Sequence, residues 1–318
     1  MTDICVVIVT YNGESWIRGN LTALRASSVP AHVVVVDNDS TDATASAVNS
    51  EFPEVELIRM PSNVGFGIGN NVGISRSIER GFQYTFLLNQ DAFVTPTCLK
   101  ELRDFLESTD YAAVTPLHCS PSLDQVDQKT LRHYLSRYAT DFISDACTGH
   151  VRPHYPIRGV NAAAWFIRND TFNQVGGFDP LFFMYGEDDD LINRLSFHKA
   201  RFALLPSCRV VHLRQSPPAN TTGRIAKLRR IAVRRRSEYL VAMKQPGLNL
   251  THSLLQLITK GILKPPIEFL IHRDGTELAA CWLAALKLLT EIRAIRRHAR
   301  RCEQQGPHFL PATRMAQQ

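Results

Sequence analysis

The sequence predicts an α/β protein whose open, mostly parallel sheet carries helices on both faces. Three observations carry that prediction. Short Val, Ile and Leu runs show no alternation, helical stretches separate them, and a polar cluster follows three of the runs. Unbroken apolar runs suit parallel strands buried on both faces. The composition, 44% apolar and 21% charged over 318 residues, is globular and excludes disorder, collagen and fibre.

The first strand is read over residues 5–10 and a helix over 14–28. A second buried strand at 33–36 runs into Asp37-Asn38-Asp39-Ser40, where Ser40 or Thr41 is positioned to cap a helix through Val48. A weaker third strand covers 55–59. A Gly-rich loop at 63–71 leads into a helix ending near Arg80, and a fourth strand at 85–88 ends in Asn89-Gln90-Asp91. Past residue 115 the alternation fades. Residues 118–156 are polar and read as an irregular insertion or a small antiparallel excursion. A strand resumes at 162–167, a turn follows at 175–178, a helix at 189–200, and short strands at 203–205 and 209–212.

Pro217-Pro218 marks a boundary, giving a catalytic domain at 1–218 and a basic helical extension at 219–318. Charge supports the division. Residues 1–218 hold 18 basic and 24 acidic side chains, a net −6. Residues 219–318 hold 18 and 6, a net +12, and the whole chain carries +6. Within the extension a basic helix is expected at about 223–244, then an apolar stretch broken by Pro265-Pro266, then a last helix at about 276–303. The seven cysteines are scattered with no Cys-x-x-Cys pair, which suits reduced, buried thiols. The start MTDICVVIVTYN lacks a basic signal-peptide region, and no stretch reaches the ~20 apolar residues of a membrane span. A soluble or surface-attached cytoplasmic protein is expected.

Ligands of open α/β sheets bind outside the carboxyl ends of the strands. Three polar clusters fall there: Thr10-Tyr11-Asn12, Asp37-Asn38-Asp39 and Asn89-Gln90-Asp91. Each alone could be a turn former or a helix cap. Together they describe a binding edge, with a carboxylate for a base or ribose and another where a divalent cation bridges to a diphosphate. The segment from Asn63 to Asn71 offers close backbone approach without being a Walker loop or a dinucleotide fingerprint. The sharpest feature is Phe182-Phe-Met-Tyr185-Gly-Glu187-Asp188-Asp189-Asp190-Leu191. Four adjacent acids repel one another, and beside an apolar wall one of them suits a general base. A solvated helix N-terminus is the competing reading. Trp165 reads either as an aromatic that stacks on a bound ligand or as core.

The ordered pieces VVIVTYN (6–12), VVVDNDSTD (34–42), NVGFGIGNNVGI (63–74), LLNQDA (87–92), VGGFDPLFFMYGEDDDL (175–191) and VVH (210–212) resemble the family 2 glycosyltransferases, a GT-A fold group that includes bacterial rhamnosyltransferases. The resemblance covers roughly residues 3–215. It implies inverting transfer from a nucleotide-activated sugar, best matched to dTDP-rhamnose, with UDP-sugars as alternatives. It places donor binding on Thr10, Tyr11, Asn12, Asp37, Asn38, Asp39, Asn63, Gly65, Asn70, Gln90 and Asp91. A divalent cation, Mg²⁺ or Mn²⁺, is implied at Asp91 and His212, although Asn89 stands where many members carry an Asp. The base falls on Asp188, with Glu187 and Asp190 as orienting or acceptor-binding groups and Tyr185 on the acceptor side.

The implied partners are a nucleotide-sugar donor and a glycan or lipid-linked glycan acceptor. The basic C-terminal helices suggest peripheral contact with anionic lipid at the inner face of a bacterial membrane. A nucleic-acid role is disfavoured because the tail lacks interleaved aromatics. A non-enzymatic anionic-surface-binding protein remains the alternative from another class.

Overall fold

Nine strands form one mixed sheet in the computed structural model, which describes residues 2–214 and 223–311. The strands are β1 Ile4–Thr10, β2 His32–Asp37, β3 Glu56–Arg59, β4 Tyr84–Leu88, β5 Ala92–Val94, β6 Ala113–Cys119, β7 Tyr155–Pro156, β8 Ala164–Arg168 and β9 Phe202–His212. Their order is β3-β2-β1-β4-β8-β6-β9-β5, with β7 beside β9. The β3–β2–β1–β4 half is parallel. Strand β8 runs antiparallel to β4 and β6, and β6 is parallel to β9.

Helices α1 Glu14–Arg25, α2 Thr44–Glu51, α3 Phe66–Glu79 and α4 Cys98–Glu107 cover the first half. The insertion is helical: α5 Gln128–Thr130, a π turn at Leu131–Leu135, α6 Ser136–Tyr138 and α7 Thr140–Thr148. Then come α8 Asn169–Val175 and α9 Glu187–Phe197. The C-terminal helices are α10 Arg224–Met243, α11 Leu250–Leu257, a π turn Ile258–Leu263, α12 Lys264–His272, α13 Gly275–Thr290 and α14 Ile292–Cys302.

Strand β1 shows why the apolar runs do not alternate. Ile4, Val6 and Ile8 face the core built with α1, α2 and α4. Cys5 and Val7 face the core that includes Ile74 of α3, Phe172 of α8 and Leu191 of α9. Helix α3 lies unusually close to β1, because a Cβ at Gly73 would strike Val7 and one at Gly69 would strike Val9. These two glycines serve helix–strand packing, which corrects the reading of the whole segment as a backbone approach to ligand.

Several expectations change. Asn70 and Asn71 lie on α3, not in a loop. Helix α2 starts at Thr44 and has no Ser40 or Thr41 cap; Asp42 accepts hydrogen bonds from the Thr44 amide and hydroxyl. Strands β5 and β6 and helices α4 and α8 were not read at all. In β6, Thr115, Pro116 and His118 interrupt the apolar run, yet every residue is buried. The ladder with β9 shifts register between Pro116 and Leu117, a bulge where proline is tolerated. The same irregularity, passing Pro206 and Ser207, made β9 read as two strands. In the extension Pro265 and Pro266 sit in the first turn of α12, where proline fits, and do not break it. The last helix divides at Glu291. The Pro217-Pro218 boundary lies outside the described residues.

Candidate active site

The parallel strands deliver the polar clusters to one edge. Thr10 ends β1, Asp37 ends β2 opposite it, and residues 89–91 follow β4. Gln90 ties this edge together. Its Oε1 accepts the Thr10 hydroxyl at 2.6 Å and the Tyr11 amide at 3.1 Å. Asp37 is fully buried. Its Oδ1 accepts the Ser40 amide, and its Oδ2 forms no hydrogen bond and faces the Arg59 Nε at 3.5 Å. A desolvated carboxylate oxygen without a donor is suited to accept a base N–H or a ribose hydroxyl.

Asn12 and Asp39 adopt left-handed backbone, and the Asn12 Oδ1 accepts the Thr41 amide. The Asn38 side chain joins this edge to the Gly-rich segment. It donates to Asn63 Oδ1 and the Gly65 carbonyl, and it accepts the Val64 amide. Gly65 itself has φ +85, and a Cβ there would collide with the Phe183 carbonyl. The donor-side segment therefore touches the aromatic run that precedes the acidic turn. Asn70 is not presented to ligand: it is buried and donates to the Phe66 carbonyl within its own helix.

The 89–91 turn is held from behind by Asn20, which donates to the carbonyls of Asn89 and Ala92. Asp91 lies beside His212 at the end of β9, Oδ1 to Nε2 3.5 Å, and the buried His212 Nδ1 has no hydrogen-bond partner. His118 stacks edge-on against His212, and burial drives its pKa down to about 3, so it stays neutral. No group of three or more His, Cys, Asp or Glu among the described residues is arranged to hold a metal by itself. One carboxylate and one imidazole still fit a cation whose other ligands are phosphate oxygens and water.

The four acids form the first turn of α9, after Gly186 in left-handed backbone. Helix N-termini favour negative charge, yet burial opposes it here. Burial, then Asp188, pushes Glu187 up to about 8, and the buried Glu187 Oε2 has no hydrogen-bond partner. Burial also raises Asp188 above the usual carboxylate range, against the amides of Asp189 and Ala162 that donate to it. Asp189 is pushed up to about 7 by burial and then by Asp188. Tyr134, from the π turn of the insertion, faces the same turn; burial and then the charge of Asp188 raise it. The sequence held no sign of that contact.

Asp190 is different. It is buried, paired through Oδ2 with Arg194 at 3.0 Å and through Oδ1 with Lys244 at 2.5 Å. It does not face an acceptor, which corrects that expectation. Trp165 is also corrected. It is fully buried between Phe178 and Phe202, so it packs the core and stacks on no sugar. Tyr185 is 54% exposed, with Phe183 and Met184 exposed beside it.

One short segment joins the two halves of the site. The Asn89 amide donates to the Ala163 carbonyl at 2.9 Å, and the neighbouring Ala162 amide donates to Asp188. The base candidate and the Asp91 turn thus flank residues 162–163. The sequence missed this relation, and it missed the bracing of the aromatic run by α10. There Arg236 donates to the Leu181 carbonyl and Ser237 to the Met184 carbonyl.

A mixed sheet with a polar strand-end edge and an acidic helix start has the GT-A architecture, and the class it defines is a glycosyltransferase enzyme. Residues 5–156 match the model of glycosyl transferase family 2, and residues 145–216 match the model for the N-terminal domain of galactosyltransferase. The chain is similar to the family 2 glycosyltransferases and, among them, to bacterial rhamnosyltransferases. It is 28% identical over 250 residues to the N-acetylglucosaminyl-diphospho-decaprenol L-rhamnosyltransferase of Mycobacterium tuberculosis (strain ATCC 25618 / H37Rv), covering 70% of this chain and 79% of that one. It is 25% identical over 225 residues to the rhamnosyltransferase WbbL of Escherichia coli (strain K12), covering 66% and 83%. Among solved structures, residues 1–349 of TarS from S. aureus superpose with TM-score 0.56 at 15% identity, covering 95% of this chain and 88% of that one.

Proposed function

We propose that this protein is an inverting rhamnosyltransferase that moves rhamnose from dTDP-rhamnose to a hydroxyl of a glycan or lipid-linked glycan. The observation that carries the reading is the placement of Asp188 and the Asp91 turn on either side of residues 162–163. That arrangement sets a proton acceptor across from a diphosphate site. The rhamnose assignment is supported by the two rhamnosyltransferase relatives.

In this reading Thr10, Tyr11 and Gln90 order the nucleotide edge, and Asp37 Oδ2 takes a hydrogen bond from the base or ribose. Gly65 and Asn63 shape the wall toward the sugar. Asp91 and His212 would hold Mg²⁺ or Mn²⁺, which when bound would neutralise charge on the departing diphosphate. Asp188 takes the acceptor hydroxyl proton as that oxygen attacks the anomeric carbon. Its raised pKa makes it a better proton acceptor than an exposed aspartate, at the cost of being partly protonated in acid. Glu187, buried and held up near 8, is largely protonated at neutral pH, which limits the repulsion on Asp188. Displacement in one step requires this single base and no protein nucleophile.

A second reading keeps the chemistry and changes the donor to a UDP-sugar. The match of residues 145–216 to the galactosyltransferase model favours it. Calorimetric titration of dTDP, UDP and GDP, each with and without Mg²⁺ or Mn²⁺, separates the two. The rhamnose reading expects metal-dependent dTDP binding that Asp91→Ala abolishes. Preference for UDP selects the second reading. Failure of every nucleotide to bind overturns both.

A further inference from the structure

The longest exposed apolar surface of the described residues lies on the C-terminal helices, away from every group assigned to transfer. Along the continuous rod of α11, its π turn and α12, Leu255, Ile258 and Ile262 follow one another at spacings of three and four. Leu263, Ile267 and Leu270 do the same beyond, with Ile271 four residues after Ile267. Ile271 is 68% exposed. In an unbroken α-helix the step from Ile262 to Leu263 would swing the second run to another face. The π turn, wider than an α turn, reduces that swing and brings the two runs closer in phase. Helix α13, packed against this rod, adds exposed Trp282, Leu283 and Leu286 at similar spacing.

The charges around the stripe are one-sided. The four acids between residues 250 and 302 are all engaged in ion pairs: Glu268 with Lys264, Asp274 with Lys227, Glu277 with Arg235 and Glu291 with Arg236. Lys260, Arg273, Lys287, Arg293, Arg297 and Arg300 are exposed and form no ion pair among the described residues. The arginines of α14 line a groove of about 690 Å³ together with Leu250, the first residue of α11, and Ile292. Much of the basic charge of α10 is not available: Arg234, Arg235 and Arg236 are held by Glu238, Glu277 and Glu291.

We propose that the α11–α12 rod and α13 lie in the plane of an anionic lipid bilayer, with the apolar stripe entering the headgroup–acyl boundary and the α14 groove holding lipid phosphates. No helix among the described residues is long and apolar enough to cross a membrane, so docking is in-plane. Lysines and arginines at the rim keep their stems on apolar lipid and their charges at the phosphates. A second copy of this chain would set the same unpaired cations against each other, which disfavours it as the occupant. This identifies the surface behind the membrane contact expected of a lipid-linked acceptor, and it rests on the proposed function only for that purpose.

The test is flotation of the full chain with vesicles of phosphatidylglycerol and phosphatidylcholine, and with phosphatidylcholine alone, in the absence of nucleotide. The protein is expected to float with the anionic vesicles. Ile267→Glu with Ile271→Glu should weaken binding roughly tenfold or more even at low salt. Arg297→Glu with Arg300→Glu should also weaken it and reduce its salt sensitivity. Circular dichroism and thermal unfolding equal to the parent establish that the variants are folded. The proposal fails if the parent ignores anionic vesicles at low salt, or if the apolar variant binds them as well as the parent. It also fails if the parent stays off vesicles and forms a concentration-dependent dimer that the apolar variant dissolves. Because vesicle binding is read without nucleotide, its outcome and that of the donor titration are independent.

Discussion

The first turn of α9 contains two electrostatic regions within four residues. Glu187, Asp188 and Asp189 face burial and one another, and all three are raised. Asp190, one position further, turns inward to Arg194 and Lys244. Asp179 shares Lys244 at 2.8 Å and also meets His298 at 2.8 Å. Burial would raise Asp179, but His298 and Lys244 outweigh it and hold its carboxyl well below the usual range. Burial alone thus does not decide a carboxylate's character. The presence of a buried cation does, and here that cation is Lys244 at the end of α10, far along the chain. The unpaired group keeps a raised proton affinity, and the paired group fixes the helix start that carries it.

The largest expected effect tests the unpaired side. Asp188→Asn should lower the transfer rate by roughly 10²–10⁴ while leaving nucleotide affinity unchanged. Steady-state rates and calorimetry read the two halves, and near-normal turnover would remove Asp188 from the base role.

Next comes the paired side. Lys244→Met leaves Asp179 and Asp190 buried with fewer partners and should destabilise the fold by about 3–5 kcal/mol. Denaturant unfolding measures it, and a neutral result would mean that Arg194 and His298 suffice.

The pH dependence should separate the two regions. Glu187 is raised from 4.5 to about 8 and Asp189 from 3.8 to about 7. Raised carboxyls contribute stability that is complete below their unfolded values and is lost as pH rises through the folded ones. Asp179 is lowered, so its contribution is present above 3.8 and is lost as pH falls. Stability should therefore decline from mildly acid to mildly alkaline pH, and Glu187→Gln should flatten that decline. Unfolding free energies at the two ends of the window are the measurement, and an unaltered slope in the variant would contradict the assignment.

The smallest effect separates packing from binding. Trp165→Phe should cost about 1–2 kcal/mol of stability without changing acceptor KM. A raised KM would return Trp165 to the acceptor side.

Much of the nucleotide edge was legible in the sequence, because strand ends and the Asx clusters after them are local features. Thr10, Asp37 and Asp91 needed only the parallel order of β1, β2 and β4 to share one edge. Asn70 and Trp165 misled for the opposite reason. An asparagine in a Gly-rich segment and a tryptophan near a site look alike whether they face ligand or core, and only helix phase and strand register distinguish them. Tyr134, Lys244 and residues 162–163 were invisible because each reaches the acidic turn across a long stretch of chain.

The sequence by itself determined the α/β class, the polar edge at the strand ends, the acidic turn and the uneven charge, since each is written in neighbouring residues. Tertiary structure decided which acids are raised and which is paired as a brace, because a carboxylate's proton affinity depends on burial and on cations that no local pattern announces. It also decided that the C-terminal helices expose apolar side chains among their basic charge, since helix packing sets which faces stay uncovered.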